Sequence, residues 1–210
     1  MKTIIFDFDG TLADTFDSFL KIMNNLAEEY NFNKITKQDI PNLREMGAKE
    51  VFKTLNISLF KLPSLTKRFR LELNKEIKNL RSTIPIKFTL LRLKEKGLRL
   101  LILTSNSKEN VETFLKKNNL ELFDKIYSAS SVFGKSSTMK KILKLEGLRK
   151  DEVFYVGDEV RDIEACKKVG VRIVVVTWGY NSKNILKSSK PDFLINQPKD
   201  LLKLKDIIYS

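Results

Sequence analysis

The sequence predicts an α/β fold: a Rossmann-like parallel sheet core flanked by helices, with a small all-helical cap domain inserted into it. Three observations carry that expectation. Apolar runs of strand length recur along the chain, each followed by a helical pattern: Thr3 to Phe6, Leu98 to Leu103, Lys125 to Ser128, Val153 to Val156, Val171 to Val176 and Phe193 to Ile195. Glycines stand where helices should hand over to buried strands, Gly97 before Leu98 and Gly170 before Val171. Between the first strand and Pro85, by contrast, there is no buried strand run. Alternation of strand and helix buries parallel strands on both faces, and a stretch without strands is an insertion into that plan.

Taken in order, the first strand ends in Asp7-Phe8-Asp9-Gly10-Thr11, and the texture then turns helical. Phe16, Phe19, Leu20, Met23, Leu26, Ala27 and Tyr30 fall at helical spacing; Leu43, Met46, Val51, Phe52 and Leu55 continue it, as do Phe69, Leu73, Ile77 and Leu80. Pro41 and Pro63 are expected to break these segments, which gives a four-helix cap over 16–82 and a core made of 1–15 and 83–210. No Gly/Ser-rich linker joins the two parts, so the chain must leave and rejoin the core through short adjacent crossings, where hinging would open and close the cap. The amphipathic stretch Phe88 to Lys96 leads into the second strand, a helix is expected from near Lys108, and another from Thr138 to Leu145.

Composition bounds the chemistry. A chain of 210 residues, 42% hydrophobic and 31% charged, can bury a core of its own. It has no run of roughly 18 apolar residues to span a bilayer and no basic-then-apolar leader, so the expectation is a soluble, cytoplasmic protein. Cys166 is the sole cysteine, which excludes an intramolecular disulfide, and it reads as a small buried helix residue. The absence of histidine excludes His-based zinc sites and Ser/His/Asp triads, leaving carboxylates, Lys, Tyr or Cys for acid–base work. A net charge of +13 could suit a polyanion, but the bases are scattered along helical faces rather than gathered in one tract, which argues against nucleic acid.

Four segments could carry chemistry. Asp7 and Asp9 leave the first strand at its carboxyl edge, where ligands bind in parallel sheets; they read either as an acidic turn or as a pair awaiting a divalent cation. Thr104-Ser105-Asn106 ends the second strand in hydroxyl and amide groups, which suit phosphate or plain helix capping by Ser105 or Ser107. Lys135 precedes a helical pattern and could bring an ammonium to a phosphate, although it is one of 39 basic residues. Gly157-Asp158-Glu159-Val160-Arg161-Asp162 ends the fourth strand run in acids; helix-dipole stabilisation accounts for Glu159 and Asp162, whereas Asp158 at the strand end suits a metal.

Together these segments resemble the four motifs of the haloacid dehalogenase superfamily, in order: Asp7-x-Asp9-Gly-Thr, the Ser105 region, Lys135, and Gly157-Asp158-x-x-x-Asp162. The early helical insertion, Asp9 to Thr15 and Trp178-Gly-Tyr180 are similar to the phosphoglycolate-phosphatase-like branch with an α-helical cap. The resemblance implies a phosphoric monoester hydrolase acting on a small phosphorylated metabolite. Asp7 would be the nucleophile that forms an aspartyl-phosphate. Asp9 would be acid and then base, its main-chain carbonyl also binding metal. Asp7, Asp9 and Asp158 would hold Mg²⁺ with Asp162 and Glu159 outside them. Ser105, the Asn106 N–H and Lys135 would hold the phosphate oxygens. Arg44 and Lys49 sit where related caps face the substrate, and they read equally as a solvated helix surface. Because Asp9 is present, the resemblance is to phosphatases and phosphomutases rather than dehalogenases.

Three rivals remain at this stage. One is a phosphosugar mutase with the same nucleophile, which the missing histidine disfavours because similar mutases carry one at the cap hinge. A non-catalytic phosphate-binding module is the second, and the retention of Asp7 and Asp9 argues against it. The third is a polyanion binder using Lys61, Lys67, Arg68, Arg70, Lys75, Lys78 and Arg81, which read instead as a solvated amphipathic face.

Overall fold

The computed structural model describes residues 2–83, 85–129 and 131–203. Six strands, β1 (Thr3–Phe6), β2 (Arg99–Thr104), β3 (Lys125–Ser128), β4 (Val153–Gly157), β5 (Arg172–Val176) and β6 (Phe193–Ile195), form one parallel sheet in the order β3-β2-β1-β4-β5-β6. In the central strands successive side chains alternate between two apolar clusters. Ile4, Phe6, Leu100, Ile102, Phe154 and Val156 enter one; Ile5, Leu101, Leu103, Val153 and Tyr155 enter the other. Such strands must be apolar at every position, which is why they read as unbroken runs.

Helices close both faces. Leu90 and Leu93 of α5 (Lys87–Glu95) and Val111 and Phe114 of α6 (Lys108–Lys117) fill the first cluster. Met139 and Ile142 of α7 (Lys135–Leu145) and Ile163 and Cys166 of α8 (Val160–Val169) fill the second. The helix expected from Thr138 therefore begins at Lys135. Gly170 ends α8 at φ +82°, a conformation in which a side chain would be strained. The last expected core stretch, 204–210, lies outside the described residues.

Between β1 and β2 run α1 (Phe16–Tyr30), α2 (Ile40–Leu43), α3 (Ala48–Thr54) and α4 (Leu62–Glu76), with no strand among the described residues there. Pro41 and Pro63 sit in the first turns of α2 and α4, so they start helices rather than break them; the fixed φ and missing N–H of proline cost nothing at that position. Ile22, Met23 and Leu26 of α1 are buried with Leu65 and Leu73 of α4. The two crossings lie side by side: Asp14 N–H donates to the Arg81 carbonyl (2.9 Å) and Thr83 N–H to the Leu12 carbonyl (3.1 Å), flanking an antiparallel bridge between Ala13 and Ser82. Among the described residues no helix is long and apolar enough to cross a membrane.

Candidate active site

In this strand order the chain winds outward from β1 to β3 and then returns to β4 on the other side of β1. A crevice opens where the winding reverses, at the carboxyl ends of β1 and β4. Asp7 leaves β1 there and Asp158 leaves β4. Asp7 is 1% exposed; its N–H prolongs the ladder to the Val156 carbonyl (2.8 Å), and its Oδ1 accepts the Phe8 N–H (2.7 Å). Asp158 is fully buried, with Oδ1 accepting the Thr11 hydroxyl (2.7 Å) and Oδ2 the Tyr180 N–H (2.7 Å). Gly10 and Gly179 clear the space for it, since a Cβ at either position would collide with the Asp158 carboxylate. Asp162, in the first turn of α8, accepts the N–H groups of Asp158 (3.3 Å) and Glu159 (3.2 Å), so it caps its helix as well as facing the site.

One carboxylate oxygen from each of Asp7, Asp158 and Asp162 lies within 4.8 Å of the others. Into this group α7 sends its first residue, Lys135, which is 2% exposed. Its Nζ lies 2.5 Å from Asp7 Oδ2 and 2.6 Å from Asp162 Oδ1. Burial pushes the Asp7 carboxyl up to about 7 against the pull of Lys135. Burial, reinforced by Glu159, Asp7 and Asp162, holds Asp158 well above the usual carboxylate range. Burial opposes the charge on Lys135, yet Asp162 and Asp7 keep its pKa above the ordinary lysine value. Three buried carboxylates against one ammonium leave an excess of negative charge, and an all-oxygen donor set of this kind fits a hard divalent cation. Asp9 stands apart from the three: its half-buried carboxylate accepts the Asn106 side-chain amide at 3.1 and 3.3 Å, and burial raises its pKa against that hydrogen bond.

The residues after β2 divide their work. Ser107 caps α6, its hydroxyl accepting the Asn110 N–H (3.2 Å). Ser105 does not cap and lines the cavity described below. The Asn106 main-chain N–H, expected on the basis of the resemblance to hold a phosphate oxygen, instead donates to the Thr104 hydroxyl (2.9 Å), while the Asn106 side chain reaches Asp9. Arg70 departs from the expected solvated face of α4. It is half-buried, donating through Nε to the Ser105 carbonyl (2.8 Å) and through Nη2 to the Ala129 carbonyl (2.9 Å).

Beside Asp9 lies a cavity of about 180 Å³, bounded by Asp9, Ser105 and Asn106 on one side and by apolar residues of α1, α3 and α4, among them Phe16, Phe19, Val51, Phe52 and Phe69, on the other; Asp7, Asp158 and Asp162 do not line it. Arg44 lines it, its Nη2 donating to the Gly179 carbonyl (2.8 Å) and its guanidinium 5.3 Å from the centre of the Phe16 ring. Lys49 does not line it: it is exposed, with its ammonium 6.0 Å from the Phe133 ring centre. Glu159 is at the cavity wall, paired with Arg161 at 2.9 Å (Nε) and 2.5 Å (Nη2). Asn110 has no counterpart among the sequence expectations, and Arg70 was expected only on a solvated face, because a polar residue that reaches the site from a helix leaves no spacing signature. Arg161 and Tyr180 lay inside noted segments without a role of their own.

Fold and site together define the class: a doubly wound α/β enzyme with an acidic, cation-suited centre at the switch point of its sheet. The family model of haloacid dehalogenase-like hydrolases matches residues 4–176. A phosphoglycolate phosphatase from Synechococcus elongatus is 34% identical over 203 residues, covering 96% of each chain. The chain belongs to the haloacid dehalogenase-like hydrolase family. Two solved structures share the fold: a haloacid dehalogenase-like hydrolase from Streptococcus pneumoniae (TM-score 0.77, 21% identity, 97% of each chain covered) and a protein assigned as a β-phosphoglucomutase from Thermotoga maritima (TM-score 0.68, 22% identity, 99% and 100% covered).

Proposed function

We propose that this hydrolase is a Mg²⁺-dependent phosphatase acting on a small phosphomonoester, whether phosphoglycolate-like, a sugar phosphate or a nucleotide, through an aspartyl-phosphate on Asp7. The observation that carries the reading is the approach of Asp7, Asp158 and Asp162 to within 4.8 Å around Lys135, with Asp9 alongside on a separate hydrogen bond to Asn106. The full-length likeness to a phosphoglycolate phosphatase supports the reaction class.

An Asp7 carboxylate oxygen attacks phosphorus, and the bond from phosphorus to the ester oxygen breaks. Asp9, whose carboxyl burial pushes above the ordinary carboxylate value, gives a proton to the departing alkoxide. Water then attacks the phosphorus of the aspartyl-phosphate and surrenders a proton to Asp9, which frees inorganic phosphate and restores Asp7. Lys135 neutralises Asp7 and a phosphate oxygen, and Ser105 offers its hydroxyl to another. The Asn106 N–H joins only if it exchanges Thr104 for phosphate. Asp7, Asp158 and the Asp9 carbonyl would hold a divalent cation, with Asp162 and Glu159 outside them, and it would offset the charge of the transferring phosphoryl group. Segment 16–82 acts as the cap over the core 1–15 and 83–210, with Arg44 as its substrate-facing cation; Lys49 has a weaker claim.

The test is a screen of phosphorylated metabolites with Mg²⁺, wild type against Asp7→Asn. Phosphate release should fall by more than about a thousandfold in the variant, and undiminished turnover would overturn the mechanism. Measuring isomerised sugar phosphate beside released phosphate separates a mutase from a phosphatase.

A further inference from the structure

We propose that Asn110 is a positioning residue that holds Asp9 in its proton-donating orientation and ties that orientation to α4 of the inserted helices. The inference rests on the phosphatase reading and adds to it how the acid is aimed. A chain of side-chain amides runs from α4 to the acid with one direction throughout. The Asn74 amide nitrogen donates to Asn110 Oδ1 (2.6 Å), Asn110 Nδ2 donates to Asn106 Oδ1 (2.9 Å), and Asn106 Nδ2 donates to both Asp9 oxygens (3.1 and 3.3 Å).

Each link fixes the next. Asn106 Oδ1 also accepts the Ser107 main-chain N–H (2.8 Å), a group that can only donate, so the amide cannot flip and its Nδ2 must face Asp9. Asn110 Nδ2 also donates to the Arg70 carbonyl (3.1 Å), a group that can only accept, which settles Asn110 in the same sense. Asn110 is fully buried in the first turn of α6, where an apolar residue would serve packing better. Its polar groups are spent on the chain from α4 to Asp9. Arg70, from the same helix, binds the Ser105 and Ala129 carbonyls, so α4 is docked beside the relay. If α4 moves away, Asn110 loses Asn74 and the Arg70 carbonyl together, and its amide is no longer held in the sense that supports Asn106 beside the Ser107 N–H.

The experiment uses leaving groups. The value of kcat/KM reports phosphoryl transfer to Asp7, which needs a proton from Asp9 when an alkoxide departs and almost none when p-nitrophenolate departs. In Asn110→Leu, kcat/KM should fall by about ten- to a hundredfold on the best alkyl phosphomonoester of the screen and by less than about threefold on p-nitrophenyl phosphate. Asn74→Ala, at the half-buried end of the chain, should show the same skew to a smaller degree, and it decides the matter if the leucine variant does not fold. A purely structural role would lower both substrates alike. Equal losses on the two substrates, or no loss on either, would overturn the inference. A wild-type enzyme inactive on every ester would instead overturn the phosphatase reading.

Discussion

At the scale of single residues, two glycines make opposite demands. Gly179 has an ordinary φ, but a Cβ there would collide with the Asp158 carboxylate; Gly97 has φ +76° and open space around it. Gly179→Ala should therefore displace Asp158, weaken cation binding and lower kcat/KM by at least about tenfold, as read by activity titrated with Mg²⁺. Gly97→Ala should leave kcat/KM unchanged and cost about 1–2 kcal/mol of stability in urea, the penalty of a left-handed alanine. Activity loss in the second variant, or none in the first, would contradict these assignments. Asp7, Asp9 and Asp158 were conspicuous because each stands at or just past the end of a buried strand, where an unbroken apolar run makes a carboxylate stand out. Arg70 and Asn110 were not, because a helix surface mixes polar residues at every register and only packing shows which of them turn inward.

At the scale of elements, Glu146 joins three of them. Lying just past α7, it accepts from Lys125 (2.8 Å) and Tyr127 of β3 and pairs with Arg99 of β2 (2.6 Å). The Lys125, Tyr127 and Arg99 hydrogen bonds hold its carboxyl down at about 2, below the 4.5 of an unfolded chain. A depressed acid stabilises the fold above its unfolded pKa and loses that contribution as pH falls through the folded value. Glu146→Gln should thus cost about 1–3 kcal/mol near pH 7, and the gap to wild type should close between pH 4.5 and about 2, as followed by urea melts across that window. A gap that does not change with pH would mean that packing, not charge, does the stabilising. The central strands β1, β2, β4 and β5 were legible from the sequence, because burial on both faces leaves only one pattern. Helix starts were less so: the apolar spacing of α7 begins at Met139, whereas its first turn is filled by Lys135 and two serines that point to other tasks.

At the scale of the whole molecule, a buried surplus of carboxylates lies where two halves of the sheet and the inserted helices meet, so cation binding should be felt as global stability. The sheet order that creates the crevice follows from alternating strands and helices. The way the helices of 16–82 sit over it does not, because Arg44, Arg70 and Asn74 reach across gaps of many residues. Folding brings Asp7 and Asp158 together, with Asp162 beside them, only in the native state, so a cation held by Asp7 and Asp158 there and not in the unfolded chain stabilises by mass action, about 2.7 kcal/mol at a hundred times its dissociation constant. For a chain of this length that is a rise in Tm of about 5–10 °C between EDTA and saturating Mg²⁺. Asp158→Asn removes a charge from the binding set and, with it, part of the mutual repulsion. Its Tm in EDTA should equal or exceed that of the wild type, while its rise with Mg²⁺ should shrink to a small fraction. A wild-type melt indifferent to every divalent cation would show that Lys135 alone neutralises the site, and the metal-dependent step would then have to be abandoned.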